Sequence, residues 1–152
     1  MDWTEVILRL LVATLAGALL GLNRDLHGKP TGVRTLGLVG VGSALIVLAV
    51  PGDASSVSRV MQGIVTGIGF IGAGVIMHGA ETQRVHGLTT AACAWLTACI
   101  GAACGAGQWR IVLVSIPLIF LVLIFGGPLE HAAHRYWGRH DDEEGRPQPP
   151  KE

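Results

Sequence analysis

The stretch Gly63-Ile64-Val65-Thr66-Gly67-Ile68-Gly69-Phe70-Ile71-Gly72-Ala73-Gly74-Val75-Ile76-Met77 carries no charged residue. Its apolar positions run on rather than alternate, which argues for helix over strand. So many glycines would weaken a helix in water. In a bilayer they let helices approach closely instead. Backbone polar groups in lipid must be satisfied within the fold, and a helix does this by itself. The segment therefore reads as a membrane helix, and it decides the fold class. It also contains Gly67-x-Gly69-x-x-Gly72, the spacing of a dinucleotide fingerprint. No βαβ unit surrounds it and no acidic residue follows at the required distance, so that reading is rejected.

Working outward, the chain shows five apolar segments: residues 6–22, 36–50, 60–77, 88–107 and 111–126. A spanning helix needs about 20 residues, so the second and fifth are short. The expectation is an all-α, polytopic transmembrane bundle of about five helices, formed by residues 1–128. After Gly126-Gly127-Pro128 the chain is expected to leave the membrane. Residues 129–152 then form a cytoplasmic tail, with a short interfacial helix followed by disorder from Gly138.

Composition agrees with this reading. Of 152 residues, 14% are charged and 50% hydrophobic, against roughly 25% charged in ordinary soluble domains. Net charge is zero and no basic stripe is present, which argues against nucleic-acid binding. The acidic start, Asp2 to Glu5, is unlike a cleavable signal, so the first segment reads as a retained anchor. Arg24, Lys29, Arg34, Arg84, Arg135, Arg139, Arg146 and Lys151 share one side under five crossings, whereas Arg9, Arg59 and Arg110 fall on the other. The positive-inside rule then gives N-out, C-in.

Three glycine pairs at four-residue spacing, Gly17/Gly21, Gly63/Gly67 and Gly101/Gly105, mark helix-packing faces, with Gly69, Gly72 and Gly74 extending the second. Such faces also suit a homo-oligomer. Cys93, Cys99 and Cys104 read as small packing residues.

The polar stretches are two loops on the same side. The first runs from Asn23 to Thr35, with Asp25 as its only carboxylate. Asp25 either pairs with Arg34 to close the loop, or forms part of a site for a cation, an anion or a partner. The second, His78 to Gly87, contributes Glu81 and two histidines. His131-x-x-His134 has helical metal spacing but lacks a third ligand, so no metal site is assigned. No nucleophile–base pair can be placed, which leaves no catalytic residue. The mid-membrane segments hold no Asp or Glu, while divalent cations want oxygen ligands, chiefly carboxylates. That leans away from a carboxylate-lined transporter and requires no cofactor, with Mg²⁺ entering at most as ligand or signal.

Four ordered stretches carry a family resemblance: Gly21-Leu22-Asn23-Arg24-Asp25, Gly32-Val33-Arg34-Thr35-Leu36, Gly67 to Met77, and Val85-His86-Gly87-Leu88-Thr89-Thr90-Ala91-Ala92. Over residues 5–126 the chain resembles the membrane domain of the MgtC/SapB family. The resemblance implies a bacterial inner-membrane protein linked to growth in low Mg²⁺ and, in pathogens, to survival in host cells. It also implies action through other membrane proteins, the ATP synthase among them, and a short form without the soluble C-terminal domain. Arg24, Arg34, Thr35, Gly87 and Thr90 fit the family pattern. The family usually has Glu where this chain has Asn23, and Arg where it has His86. The first difference removes a carboxylate. The second replaces a permanent charge with a titratable one. The leading expectation is a non-catalytic regulator tied to Mg²⁺ limitation or acid stress. A cation transporter and a structural homo-oligomer are the alternatives.

Overall fold

The computed structural model describes the backbone of residues 1–78 and 87–144, and their side chains except at 77–78 and 130–144. Five helices follow in order: α1 (Trp3–Leu26), α2 (Val33–Leu48), α3 (Ala54–His78), α4 (Leu88–Gly105) and α5 (Trp109–Glu144). No strand occurs among the described residues. The chain is an all-α, polytopic bundle, and α1, α3, α4 and α5 are each long and apolar enough to cross a membrane.

Residues 1–115 form one compact unit. Within it α1, α2 and α4 pack on one another, and α3 packs mainly on α4. The most enclosed helix is α4, with Cys93, Ala94, Thr97, Ala98 and Cys104 all but inaccessible. Its small side chains explain this position. Lipid offers no hydrophobic drive for helix association, so close packing has to supply it. With 16 residues, α2 rises roughly 24 Å, less than the ~30 Å hydrocarbon thickness. It is short, but it sits against both α1 and α4 and buries Leu36, Gly40, Ala44 and Val47.

The closest approaches occur where glycine leaves room. A Cβ on Gly21 would lie 2.6 Å from the Val33 backbone, and one on Gly105 2.7 Å from the Ala44 carbonyl oxygen. Gly17 meets the Leu36 carbonyl, and Gly101 the Gly40 carbonyl. Gly40 itself faces the Ala13 carbonyl, 2.5 Å from a would-be Cβ. It therefore sits between α1 and α4 and joins both interfaces. The α1–α2 connection turns at Gly28 (φ +60°), with the Lys29 N–H donating to the Arg24 carbonyl. The end of α4 turns at Gly107 (φ +70°). There the Gln108 N–H donates back to the Ala103 carbonyl at 2.9 Å, which closes the helix end with its carbonyl satisfied.

The second unit begins at Ile116 and contains the rest of α5. The helix runs on past Gly126-Gly127-Pro128, although its apolar stretch long enough to cross a membrane is Trp109–Leu129. The helix passes through Pro117 and Pro128 and continues to Glu144, beyond the start of the tail expected at Gly138. A proline removes one backbone bond and its own donor. Flanking turns keep theirs, and membrane helices accommodate such interruptions.

Candidate functional site

α1 and α4 run antiparallel, because each is tied to the opposite end of the other by an arginine of α1. At one end the Arg24 Nη2 donates to the Thr90 hydroxyl oxygen at 2.6 Å. Arg24 is 6% exposed and Thr90 1%. The Arg24 Nε is also buried and finds no partner among the described residues. Thr90 lies in the first turn of α4, which starts after Gly87. Gly87 adopts φ +93°, a left-handed conformation that disfavours any side chain. A Cβ there would also come within 3.1 Å of the Val75 carbonyl oxygen of α3.

A guanidinium held this deeply is costly unless it is paired. Its described partner is a neutral hydroxyl. The buried polar residues of the described core are Arg24, Ser43, Thr90 and Thr97, and none is a carboxylate. Thr97 turns inward on its own helix, its hydroxyl donating to the Cys93 carbonyl at 2.7 Å.

Asp25, next to Arg24, faces elsewhere. Its Oδ2 accepts from the Val33 N–H at 2.9 Å. It does not form the ion pair with Arg34 that charge alone suggested. Instead it satisfies an orphan donor at the start of α2, and its negative charge suits the positive end of that helix. Gly32 lets this happen, since a Cβ there would collide with the Asp25 carboxylate. Arg34 and Thr35 are exposed, and Asn23 is half-buried. The Asn23 backbone carbonyl accepts from the His27 Nδ1 at 2.7 Å. The structure thus brings Arg24, Thr90 and Gly87 to one place, and Asp25 and Gly32 to a neighbouring turn. Arg34 and Thr35 remain at the surface. Glu81 and His86 lie outside the described residues, as do the side chains of His78, His131 and His134.

The opposite end of the α1–α4 pair is built differently. The Arg9 Nη1 donates to the Gly105 carbonyl at 2.6 Å, and its Nη2 pairs with the Glu5 carboxylate. The four-residue spacing of Glu5 and Arg9 suits such a pair, whereas the tie to α4 is a tertiary contact that local spacing does not mark. Sequence reading missed Gly40. The available signal was Gly40-x-x-x-Ala44, a small-residue pair at helical spacing.

The packing glycines divide into two sets. Gly17, Gly21, Gly101 and Gly105 meet backbone of a facing helix, and Gly72 lies against Ala91. Around Gly63, Gly67 and Gly69 there is open space, and Gly74 is exposed. The three cysteines are free thiols. Among the described residues no group of three His, Cys, Asp or Glu side chains could hold a metal.

Comparison with known proteins extends these features. The model of the MgtC family matches residues 10–132. Protein SrpB of Synechococcus elongatus is 43% identical over 136 residues, 80% of this chain and 75% of that protein. Protein MgtC of Salmonella typhimurium is 42% identical over 130 residues, 85% of this chain and 54% of its own. The Escherichia coli K12 protein named "Putative magnesium transporter YhiD" is 39% identical over 129 residues, 78% of this chain and 59% of its own. The chain thus spans little more than half the length of the last two. No solved structure matches this chain.

Proposed function

Because the chain belongs to the MgtC family, we propose that it is a non-catalytic regulator of the bacterial inner membrane, linked to Mg²⁺ limitation or acid stress. It acts through contacts with other membrane proteins, an ATP synthase being one such partner. Its Arg24 end faces the cytoplasm, the side favoured by the distribution of basic residues.

The observation that carries this reading is the polar inventory of the core. A cation path wants oxygen ligands of negative or strongly dipolar character. The described core instead buries one cationic side chain, Arg24, and no carboxylate. A buried positive charge raises the barrier to any cation crossing near it. The facing helices α1, α2 and α4 also meet backbone to backbone at Gly17, Gly40 and Gly101, which leaves no room between them.

Cation transport is the second reading, favoured by the magnesium-transport wording in the name of YhiD. Its strongest ligand candidate is Asp25, an exposed carboxylate beside the α1–α2 turn. That carboxylate already serves the Val33 N–H. Mg²⁺ flux into liposomes carrying the purified protein separates the two readings, with empty vesicles and Asp25→Ala alongside. No flux above empty vesicles is the expected result. Flux that disappears in Asp25→Ala would overturn the regulator and establish a cation path at that turn.

A further inference from the structure

We propose that the Arg24 guanidinium and the first turn of α4 together bind a phosphoryl group, carried by a soluble phosphate or by a lipid headgroup. Arg24 is 6% exposed. A guanidinium carries several N–H donors, and among the described residues Arg24 donates to the Thr90 hydroxyl alone. Its buried Nε has no acceptor there. The described carboxylates are engaged or distant. Glu5 pairs with Arg9, Asp53 accepts from Ser55 and Ser56, and Asp25 accepts from the Val33 N–H. Asp2 precedes α1, at the end opposite Arg24. The two helix ends beside the guanidinium offset each other, since α1 brings its C-terminal carbonyls and α4 its N-terminal N–H groups. The guanidinium charge is left over, and a buried charge without a counter-charge is costly.

The start of α4 supplies further donors. The Ala91 N–H donates to the Gly87 carbonyl at 2.8 Å, so the N–H groups of Leu88, Thr89 and Thr90 lie ahead of the helix's own ladder. Gly87 is the cap residue and makes no side-chain bond to them. Leu88 and Thr89 are exposed, which opens this turn to a ligand from outside the bundle. Free N–H groups at a helix start favour an anion. Arg24 is fixed to the same turn through Thr90, so its fork and these N–H groups lie side by side.

This donor set favours a phosphoryl group over a halide or a carboxylate. A guanidinium grips two oxygens at once, and the helix N–H groups take a third, which a carboxylate lacks. The depth also fits. With 24 residues, α1 rises roughly 36 Å, against ~30 Å for the hydrocarbon layer. Arg24 is in its last turn and so lies at headgroup level, where lipid phosphates and soluble phosphate both reach. The site holds or fails independently of whether ions cross the protein.

The test takes the purified full-length protein, delipidated in a neutral detergent and a phosphate-free buffer. Inorganic phosphate is titrated in, with chloride at matched ionic strength as the control, and thermal unfolding and phosphorus NMR read the binding. Phosphate is expected to raise the melting temperature saturably and chloride is not. Arg24→Lys keeps the charge but loses the fork, and weakens phosphate binding about tenfold or more. Thr89→Glu, at an exposed position, puts a carboxylate in the first turn of α4. It raises the melting temperature without phosphate and removes the response to phosphate, whereas Thr89→Gln does neither. A second arm measures the lipid phosphorus that stays with the protein when delipidation is omitted. A headgroup in the site leaves more on wild type than on Arg24→Lys or Thr89→Glu, while a soluble phosphate as the natural ligand leaves equal amounts. Equal effects of phosphate and chloride would overturn the proposal, as would phosphate binding that neither Arg24→Lys nor Thr89→Glu weakens. Phosphate binding seen only in Glu81→Gln would assign the counter-charge to the chain itself and overturn it too.

Discussion

Arg9 and Arg24 both reach from α1 to α4, one at each end of the antiparallel pair, and they are stabilised in different ways. Arg9 is partly accessible, paired with Glu5 one turn earlier, and donates to the Gly105 carbonyl. Its charge is balanced locally, and its second contact draws on the negative end of the α4 dipole. Arg24 is nearly inaccessible, faces the opposite end of α4, and has a hydroxyl as its described partner. There the α4 dipole opposes the guanidinium, while the negative end of its own helix α1 favours it. The same residue type on the same helix thus serves as a clamp at one end and, at the other, as a buried charge whose partner among the described residues is a neutral hydroxyl. Stability alone explains the first. The second is a charge buried without a counter-ion among the described residues, the kind of group that marks functional sites in membrane proteins.

The sharpest way to break this comparison is to truncate each arginine. Arg24→Ala removes a buried stem and its only described tie to α4, and is expected to cost about 3 kcal/mol. Unfolding of the purified protein in mixed micelles measures it. Thr90→Val keeps the shape and removes the acceptor, leaving the guanidinium unpaired at a cost of about 2 kcal/mol. Arg24→Met combined with Thr90→Val removes both polar groups at similar volume, and should cost less than Thr90→Val alone. A double variant as damaged as the sum of the singles would mean that the Arg24 charge is balanced after all. At the other end Arg9→Ala should cost about 1 kcal/mol, with about 0.5 kcal/mol of it coupled to Glu5 in a double-mutant cycle. If Arg9→Ala proves as costly as Arg24→Ala, the two ends are equivalent and the distinction fails.

Much of this architecture was legible in the chain, and the misses have physical causes. α1, α3 and α4 were readable because each is a long apolar run without interruption, a pattern with few alternatives in lipid. The central place of α2 was not. It depends on Gly40 facing Ala13 on one side and Gly101 on the other, and a single glycine does not announce two partners. The continuation of α5 through Pro128 was missed because Gly-Gly-Pro ends most helices in water, where exposed backbone is readily hydrated. Arg24, Gly87 and Thr90 were all named from family-like motifs. That Arg24 and Thr90 touch across 66 residues of chain is a tertiary fact. Asp25 was matched by charge to Arg34, while the nearer claim was a backbone donor at the start of α2.

The acids of the chain show the same division of labour. Glu5 neutralises Arg9, Asp25 caps α2 and Asp53 caps α3, so none of these three carboxylates is left to balance Arg24. Asp53 gives the smallest effect and the cleanest sign. Hydrogen bonds from Ser55 and Ser56 hold its carboxyl down at about 2, against 3.8 for the free group. A depressed folded pKa means stabilisation that is fully present above 3.8 and lost as pH falls through about 2. The group is fully exposed, so the change is confined to the first turn of α3. Wild type should therefore hold its melting temperature from neutral pH to about pH 4 as far as this residue is concerned, then lose a small increment that Asp53→Asn does not lose. Carbon-13 titration of the Asp53 carboxyl reads the same group directly. A midpoint near the free value would mean that the cap does not form. The same depressed midpoint in an Arg59→Ala variant would leave the Ser55 and Ser56 bonds as its cause.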